Sequence, residues 1–422
     1  MLGAVRDLRY GVLGAGRQGT AAAYDLAVRG GAAEVRLADA DRAAAGRAAK
    51  RVDALAGRLV ASGAALDVAD RKALVSFLEP LDAVVSAVPF RFNLGVAQAA
   101  VAAGTSMCDL GGNIPIVLAE LELDADAAAA GVAIVPDCGE APGLGNNLIA
   151  YGLTLLDDPE EAVLYDGGLP QRPSPPWNYE LTFDIDGLTN EYDGTTTYVR
   201  DGALVEVACF EPSEYELLDF GEPFGTLEAF VADTGSTTPW TLGPRLRTLK
   251  AKVLRYPGHA AAFAAFRDAG LFSQEPVDVG GVDVIPREVL HAVLEPRIRA
   301  TAETRDVVVN RVVARGRQDG RPAEAVVDLL VFHDEETGFT AMEQAAGFHA
   351  AIVCRLMAEG EIEPGARPVE LAVDPGRIVG EARARGFRLN ERVSEPSTVS
   401  AGTVGGEGRP GPRGRSSRQA PR

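Results

Sequence analysis

Leu8-Arg9-Tyr10-Gly11-Val12-Leu13-Gly14-Ala15-Gly16-Arg17-Gln18-Gly19 decides the fold. The run from Leu8 to Leu13 reads as a short strand. A Gly-x-Gly-x-x-Gly turn follows at once, and Thr20 to Arg29 continues as an Ala-rich helix. A second strand, Glu34 to Leu37, leads to Asp39, about twenty residues past the last glycine. In such a unit the first glycine closes the turn, the second lets backbone approach a pyrophosphate, and the third packs helix against strand. The helix N-terminus adds free N–H donors and partial positive charge for phosphates. Strand, turn, helix and acid occur together, so the segment is read as a dinucleotide-binding crossover holding its ligand through Gly14, Gly16, Arg17, Gln18, Gly19 and Asp39.

Outward from it, strand and helix signals alternate as a doubly wound parallel sheet requires. A helix spans Asp41 to Leu55, a strand Gly57 to Leu66, a short helix Arg71 to Leu78, and a strand Leu81 to Val88. Then come a helix Asn93 to Ala103, a strand Thr105 to Leu110, a helix Glu120 to Ala130 and a strand Val132 to Val135. That is the strand count of a complete Rossmann unit. Residues 1–140 are therefore expected to form the dinucleotide-binding domain. Asp137 to Gly145 breaks the pattern, and Asn146 to Leu156 leaves as a helix.

Residues 141–340 have another character and are expected to form a mixed α/β substrate and dimerisation domain. Asp201-Gly202 marks a hairpin between Thr195–Arg200 and Ala203–Phe210. Asp319-Gly320 lies in a longer connection between the Val-rich strands Asp306–Arg315 and Ala323–Phe332. Gly167 to Pro170 and the Pro-rich run to Tyr179 read as a stiff loop, either a linker or a wall of the interdomain cleft. Thr248 to Asp268 is expected to be largely helical around Pro257-Gly258, and Pro286 to Leu294 helical with Pro in its first turn. Gly338 to Ala358 is a long helix whose Ala-rich face suits close packing, so residues 341–392 are expected to return and complete the first domain. Residues 394–422 lack periodicity and read as a disordered tail.

The chain has 422 residues and a formal net charge of −19. That balance argues against a nucleic-acid or anionic-membrane partner. Cys108, Cys138, Cys209 and Cys354 are scattered, with no Cys/His cluster, so no metal is expected and a reducing compartment fits. No apolar stretch approaches the ~20 residues that span a bilayer, and the first strand begins too early for a signal peptide. A cytoplasmic protein is expected.

Ligands of parallel sheets bind at the carboxyl ends of the strands, which selects further candidates. Asp39 would accept bonds from ribose hydroxyls and repel a 2′-phosphate, favouring NAD over NADP; Arg36 and Arg42 flank it. Asp67-Val68 would meet the adenine. Ser86-Ala87-Val88-Pro89 would either lie along the nicotinamide half or be ordinary core. Asp109, ahead of Gly111-Gly112, is a candidate base or an Asx-turn residue, and Glu140 is a second acid at the neighbouring strand end. Arg255-Tyr256-Pro257-Gly258-His259 gathers a candidate carboxylate clamp, a phenol and a candidate proton shuttle. His291 and His349 fall in helices and read as packing or surface residues, and His333 as exposed.

Together these segments resemble the saccharopine dehydrogenase family, and within it the L-lysine 6-dehydrogenase branch. The likeness rests on Gly14–Gly19, Ser86–Pro89, Glu140-Ala141-Pro142-Gly143-Leu144 with Asn146, Gly167–Pro170 with Pro175-Pro176-Trp177-Asn178-Tyr179, Gly187–Tyr192 and Leu254–His259. Trp177 departs from the usual Leu. The resemblance implies a Rossmann domain with an inserted mixed α/β domain, a dimer or other homo-oligomer, and NAD-dependent oxidation at a C–N bond of an amino acid. For lysine this would give 2-aminoadipate 6-semialdehyde and ammonia. In that account Asp109 or His259 takes the amine proton, and Arg255 holds the carboxylate among Glu140, Gly168, Tyr179 and Tyr256. Saccharopine dehydrogenase itself, an NAD-recycling synthase of the homospermidine synthase type, and a nucleotide-binding protein without turnover remain as alternatives.

Overall fold

The computed structural model describes residues 7–396. The first part runs β1 (Leu8–Leu13), α1 (Arg17–Arg29), β2 (Ala32–Asp39), α2 (Arg42–Ala56), β3 (Ala61–Ala65), α3 (Arg71–Leu78), β4 (Ala83–Ser86), α4 (Asn93–Ala103), β5 (Ser106–Asp109), α5 (Ile114–Leu121), α6 (Asp124–Ala130) and β6 (Ala133–Val135). Helix α7 (Leu144–Thr154) leads out of it. The strands form one parallel sheet in the order β3-β2-β1-β4-β5-β6, the doubly wound arrangement expected from the sequence. The single helix expected over Glu120–Ala130 is two, α5 and α6, because Asn113 caps an earlier start with a bond to the Ile116 amide.

The second part contains β7 (Asp158–Pro170), α8 (Ile185–Glu191), β8 (Thr195–Arg200), β9 (Ala203–Ala208), β10 (Glu216–Asp219), β11 (Thr226–Val231), the one-turn α9 (Thr238–Thr241), β12 (Thr248–Arg255) and α10 (His259–Asp268). It continues with the small hairpin β13 (Val277–Asp278) and β14 (Asp283–Val284), α11 (Pro286–Ile298), β15 (Asp306–Gln318) and β16 (Arg321–Phe332). Apart from β13 and β14, which pair only with each other, these strands build a mixed sheet in which β7 lies between parallel β12 and antiparallel β15.

Three expectations change here. Thr248–Arg255 is a central strand, not helix. Its period-2 pattern buries Leu249, Ala251 and Val253 on one face, while on the other Lys252 is neutralised by Glu214 and Glu216. Gly167–Pro170 is the end of β7 rather than loop, and Gly167 is needed because a Cβ there would sit 2.4 Å from Leu254 O. The Asp319-Gly320 connection is a two-residue turn, since both residues adopt positive φ (51° and 73°) and the strands pair right up to it.

Helix α12 (Ala341–Glu359) follows, then β17 (Gly365–Ala366), α13 (Val369–Ala372), α14 (Pro375–Ala384) and β18 (Arg388–Ser394). Apolar around nearly its whole circumference, α12 is buried between the two sheets. Gly347 permits its approach to α1, where a Cβ would lie 2.7 Å from Gln18 O. Strand β17 joins the first sheet beside β6. The return to the first sheet ends earlier than residue 392, however. Arg388–Ser394 pairs with β16 of the second sheet and takes Ser394 out of the expected tail. The rest of that tail, from residue 397, lies outside the described residues. No helix among the described residues is long and apolar enough to cross a membrane.

Candidate functional site

The glycine turn sits between β1 and β4, where the strand order reverses, which is the position at which such sheets bind ligands. Gly14 has φ +91° and a Cβ on it would lie 2.4 Å from Ala87 O; on Gly19 it would lie 2.0 Å from Gly14 O. Gly16 differs, for nothing stands within 4 Å of where its Cβ would be. The first and third glycines are thus demanded by the protein's own packing, and the second leaves a cradle open at the start of α1. This fits a pyrophosphate, whose approach a side chain at position 16 would obstruct.

Asp39 ends β2 with both carboxylate oxygens engaged, Oδ2 accepting from the Ala15 amide (2.8 Å) and Oδ1 from the Asp41 amide (2.8 Å). The acid is therefore held against the turn. Arg36 is turned away by a two-bond pair with Glu34 (2.7 and 3.0 Å), while Arg42 is exposed in the first turn of α2. Asp67 is exposed and closes its own turn on Ala69, and Val68 packs on the core beneath. Ser86 is buried and donates to Asn93 Oδ1 (2.9 Å); Ala87 to Pro89 continue from it along the turn. Arg17 is paired with Glu343 at the N-terminus of α12 (2.7 Å), and Gln18 reaches the Thr182 carbonyl at 3.4 Å across the junction of the two sheets.

A second group gathers on the other side of that junction. Arg255, the last residue of β12, is buried, with Nη1 donating to Leu254 O (2.8 Å), Nη2 3.9 Å from Glu191, and Nε without a partner among the described residues. Its guanidinium lies over the rings of Tyr179 (5.2 Å) and Tyr192 (5.9 Å). Around it stand three carboxyl groups. Glu140 follows β6, Asp166 lies in β7, and Glu191 ends α8. Burial pushes Glu140 and Glu191 up to about 7 against the pull of Arg255. It raises Asp166 further, with Glu140 and Glu191 adding repulsion. Asn310 of β15, the cross-strand partner of Asp166, donates to Glu140 Oε1 at 2.7 Å.

His259 begins α10. Its Nε2 meets Tyr192 OH (3.1 Å), and its ring stacks on Phe263 (4.2 Å) against the edge of Tyr179 (4.8 Å). Burial and the Arg255 charge drive its pKa well below the usual imidazole value, so the ring is neutral. Glu228 fixes this helix start by accepting the amides of Gly258 (2.9 Å) and Ala260 (2.6 Å).

The sequence-selected residues thus divide. Glu140, Tyr179, Arg255 and His259 come together. Gly168 lines β7 on the same face as Asp166 and faces Met342 of α12. Tyr256 does not join them. The two-residue period of the strand sends it to the opposite face, where its hydroxyl donates to Pro170 O at 3.2 Å. Asp109 is fully buried and closes an Asx turn on the Gly111 amide (2.6 Å), also accepting from Asp137 (3.2 Å). Among the described residues no hydrogen bond or ion pair joins it to the Arg255 group. Asp166 and Asn310 are not among the sequence-selected residues, and Glu191 and Tyr192 enter there only within the Gly187–Tyr192 stretch of the resemblance, with no role of their own. The available signal was an acid inside the otherwise apolar strand Ala162–Leu169. Trp177 packs on Phe266 at the edge of the aromatic cluster.

His349 is buried in α12 between Cys138 O and Asn147 Oδ1 (2.9 and 2.8 Å), and His291 meets Thr189 Oγ1 (3.0 Å). His333, expected to be exposed, keeps only 6% of its side chain in solvent, because its amide extends the sheet to Asp306 O.

Comparisons with known proteins match this layout. A family model described as the saccharopine dehydrogenase NADP binding domain matches residues 10–135, and one described as the saccharopine dehydrogenase C-terminal domain matches residues 139–387. The chain is 23% identical over 240 residues to the saccharopine dehydrogenase (NADP(+), L-glutamate-forming) of Saccharomyces cerevisiae, covering 53% of this chain and 51% of that protein. For the Pyricularia oryzae protein of the same name the identity is 25% over 225 residues, covering 50% and 48%. The chain therefore spans about half the length of the curated relatives it matches. Among solved structures, apo saccharopine dehydrogenase (L-Glu forming) from Saccharomyces cerevisiae superposes with a TM-score of 0.74 at 20% identity, covering 92% of this chain and 100% of that one. Homospermidine synthase from Legionella pneumophila, in complex with NAD, gives 0.65 at 12% identity, covering 94% of each. These two likenesses concern the fold.

Proposed function

The chain belongs to the saccharopine dehydrogenase family, and on that premise we propose that it is an oxidoreductase acting on the side-chain amine of a cationic amino acid, with L-lysine the best-fitting substrate and NAD the preferred dinucleotide. One observation carries the choice of substrate. The group holds three carboxyls and one guanidinium, with Glu191 half-buried and the others buried. Such a surplus of acids favours a ligand with more ammonium than carboxylate. Lysine has two ammonium groups and one carboxylate; saccharopine carries three carboxylates, two of which would find no cation in this group.

The residues divide the work accordingly. The guanidinium of Arg255, whose Nε has no partner among the described residues, takes the substrate carboxylate, and Glu191, 3.9 Å from its Nη2, suits the ammonium on the adjacent carbon. The rings of Tyr179 and Tyr192 exclude water and hold the guanidinium plane. Gly14, Gly16 and Gly19 with Asp39 would hold the dinucleotide, which supplies a hydride acceptor when bound. The hold on Asp39 by two amides, with Arg36 diverted to Glu34, supports NAD over NADP.

Absorbance at 340 nm with L-lysine, saccharopine and putrescine, each with NAD or NADP, tests the reading. Steady NADH formation with lysine, and a kcat/KM at least about tenfold lower with saccharopine, is the expected result. Turnover of saccharopine alone, or homospermidine formed from putrescine without net NADH, would replace it.

A further inference from the structure

A side-chain ammonium must lose a proton before its carbon can release hydride, because only a nitrogen with a free electron pair can drive that departure. The candidate acceptors are held very differently. Asp109 is sealed in a turn with its Oδ1 taken by two amides. His259 is stacked between aromatic rings with Nε2 on Tyr192, beside a guanidinium that opposes its protonation. Asp166 lies within the central strand β7 with Oδ1 buried and unpartnered. Glu191 faces Arg255 and so belongs with the α-amino acid end of the ligand.

Glu140 is placed otherwise. It is contributed by the segment leaving the nucleotide-binding sheet after β6, whereas Asp166 and Glu191 come from the second part of the chain. Its Oε1 is oriented by Asn310 (2.7 Å), while Oε2 has no hydrogen bond among the described residues, and the residue keeps 7% exposure. Resting on the function proposed above, we infer that Glu140 is the base that takes the proton from the substrate's side-chain ammonium. The N–H bond breaks, its electron pair stays on nitrogen, and the proton goes to Glu140 Oε2. That pair then forms the C=N bond as the neighbouring C–H bond breaks and its hydrogen leaves with both electrons, as hydride, to a nicotinamide dinucleotide, the oxidant the proposed function names.

The charged and polar groups facing Glu140 are Arg255 from β12, Asp166 from β7, Glu191 from α8 and Asn310 from β15. Arg255 and Asn310 favour the carboxylate and burial opposes it, which sets the group up to about 7. The base works deprotonated, so kcat/KM for lysine should rise with pH through about 7 in the wild type.

Glu140→Gln should lower kcat by about 10²–10⁴-fold, the usual contribution of a positioned base. It should also abolish that acid limb, and lysine affinity by calorimetry without dinucleotide should change only a few-fold. Glu140→Ala should regain activity with added formate or acetate. Asn310→Leu, which keeps the acid but removes its hydrogen bond, should move the limb to higher pH. A limb unchanged in Glu140→Gln, or unmoved in Asn310→Leu, overturns the inference while leaving the function standing. A wild-type protein that oxidises no amine with either dinucleotide overturns the function and the inference together.

Discussion

Arg255→Ala is expected to lower kcat/KM for L-lysine by about 10²–10³-fold, the range for truncating one partner of a buried hydrogen-bonded charge pair. Among the described residues the Arg255 guanidinium is the cation that acts on Glu140, Asp166 and Glu191. Two effects follow from removing it. The substrate carboxylate loses its partner, and the three acids lose the charge that offsets their burial, so each becomes harder to ionise. A purely structural Arg255 would affect all amines alike. The proposed role predicts a selective loss, so 1,5-diaminopentane, which lacks the carboxylate, serves as the control. The wild type should prefer lysine to the diamine strongly, and the variant should discriminate little between them. Arg255→Lys should recover only part of the loss, because an ammonium cannot present the same planar donors to a carboxylate. Equal losses for lysine and the diamine would show that Arg255 does not read the carboxylate.

The largest expected effect on stability lies elsewhere, at the pair that pins the C-terminal helices to the first sheet. Arg385, just past α14, donates through Nε and Nη2 to both oxygens of Asp25 in α1 (2.8 and 2.6 Å), and both side chains are almost wholly buried. Burial alone raises Asp25, and Arg385 counteracts it. Arg385→Ala leaves a buried carboxylate without its cation, at a cost of about 3–5 kcal/mol. Asp25→Leu with Arg385→Met removes both charges and should recover most of the loss, since a well-packed apolar pair commonly replaces a buried ion pair at little cost, and Glu381, which Arg385 Nη1 also meets at 2.6 Å, keeps Arg355 as its partner at 2.7 Å. Urea unfolding of the wild type and these two variants measures this. A single variant as stable as the wild type would mean that the C-terminal return does not depend on the pair.

The first sheet was legible because its instructions are local. Strand, glycine turn, helix and acid lie within the stretch from Leu8 to Asp39, and each alternation after it repeats the pattern over short spans. Thr248–Arg255 was not legible for the opposite reason. Two lysines in eight residues disguise a central strand, and what makes Lys252 tolerable there is a pair of glutamates 36 and 38 residues earlier in the chain. The site divides along the same line. Arg255 and His259 announce themselves in one short polar segment, and Glu140 by its position after a strand of the first sheet. Asp166 gains its meaning only when β7 lies beside β12 and β15, strands far from it in sequence. Tyr256 shows the converse. Adjacent to Arg255 in sequence, it is carried to the other face by strand alternation.

Everything proposed for catalysis requires that the Gly14–Gly19 turn receive a dinucleotide. Calorimetric titration of NAD and NADP into the wild type and Gly16→Ala tests this most directly, because the space beside Gly16 is not filled by the protein itself. The expected result is saturable binding to the wild type, tighter for NAD, and its loss in the variant at an unchanged melting temperature. No heat with either dinucleotide, or equal binding by the variant, would contradict the account.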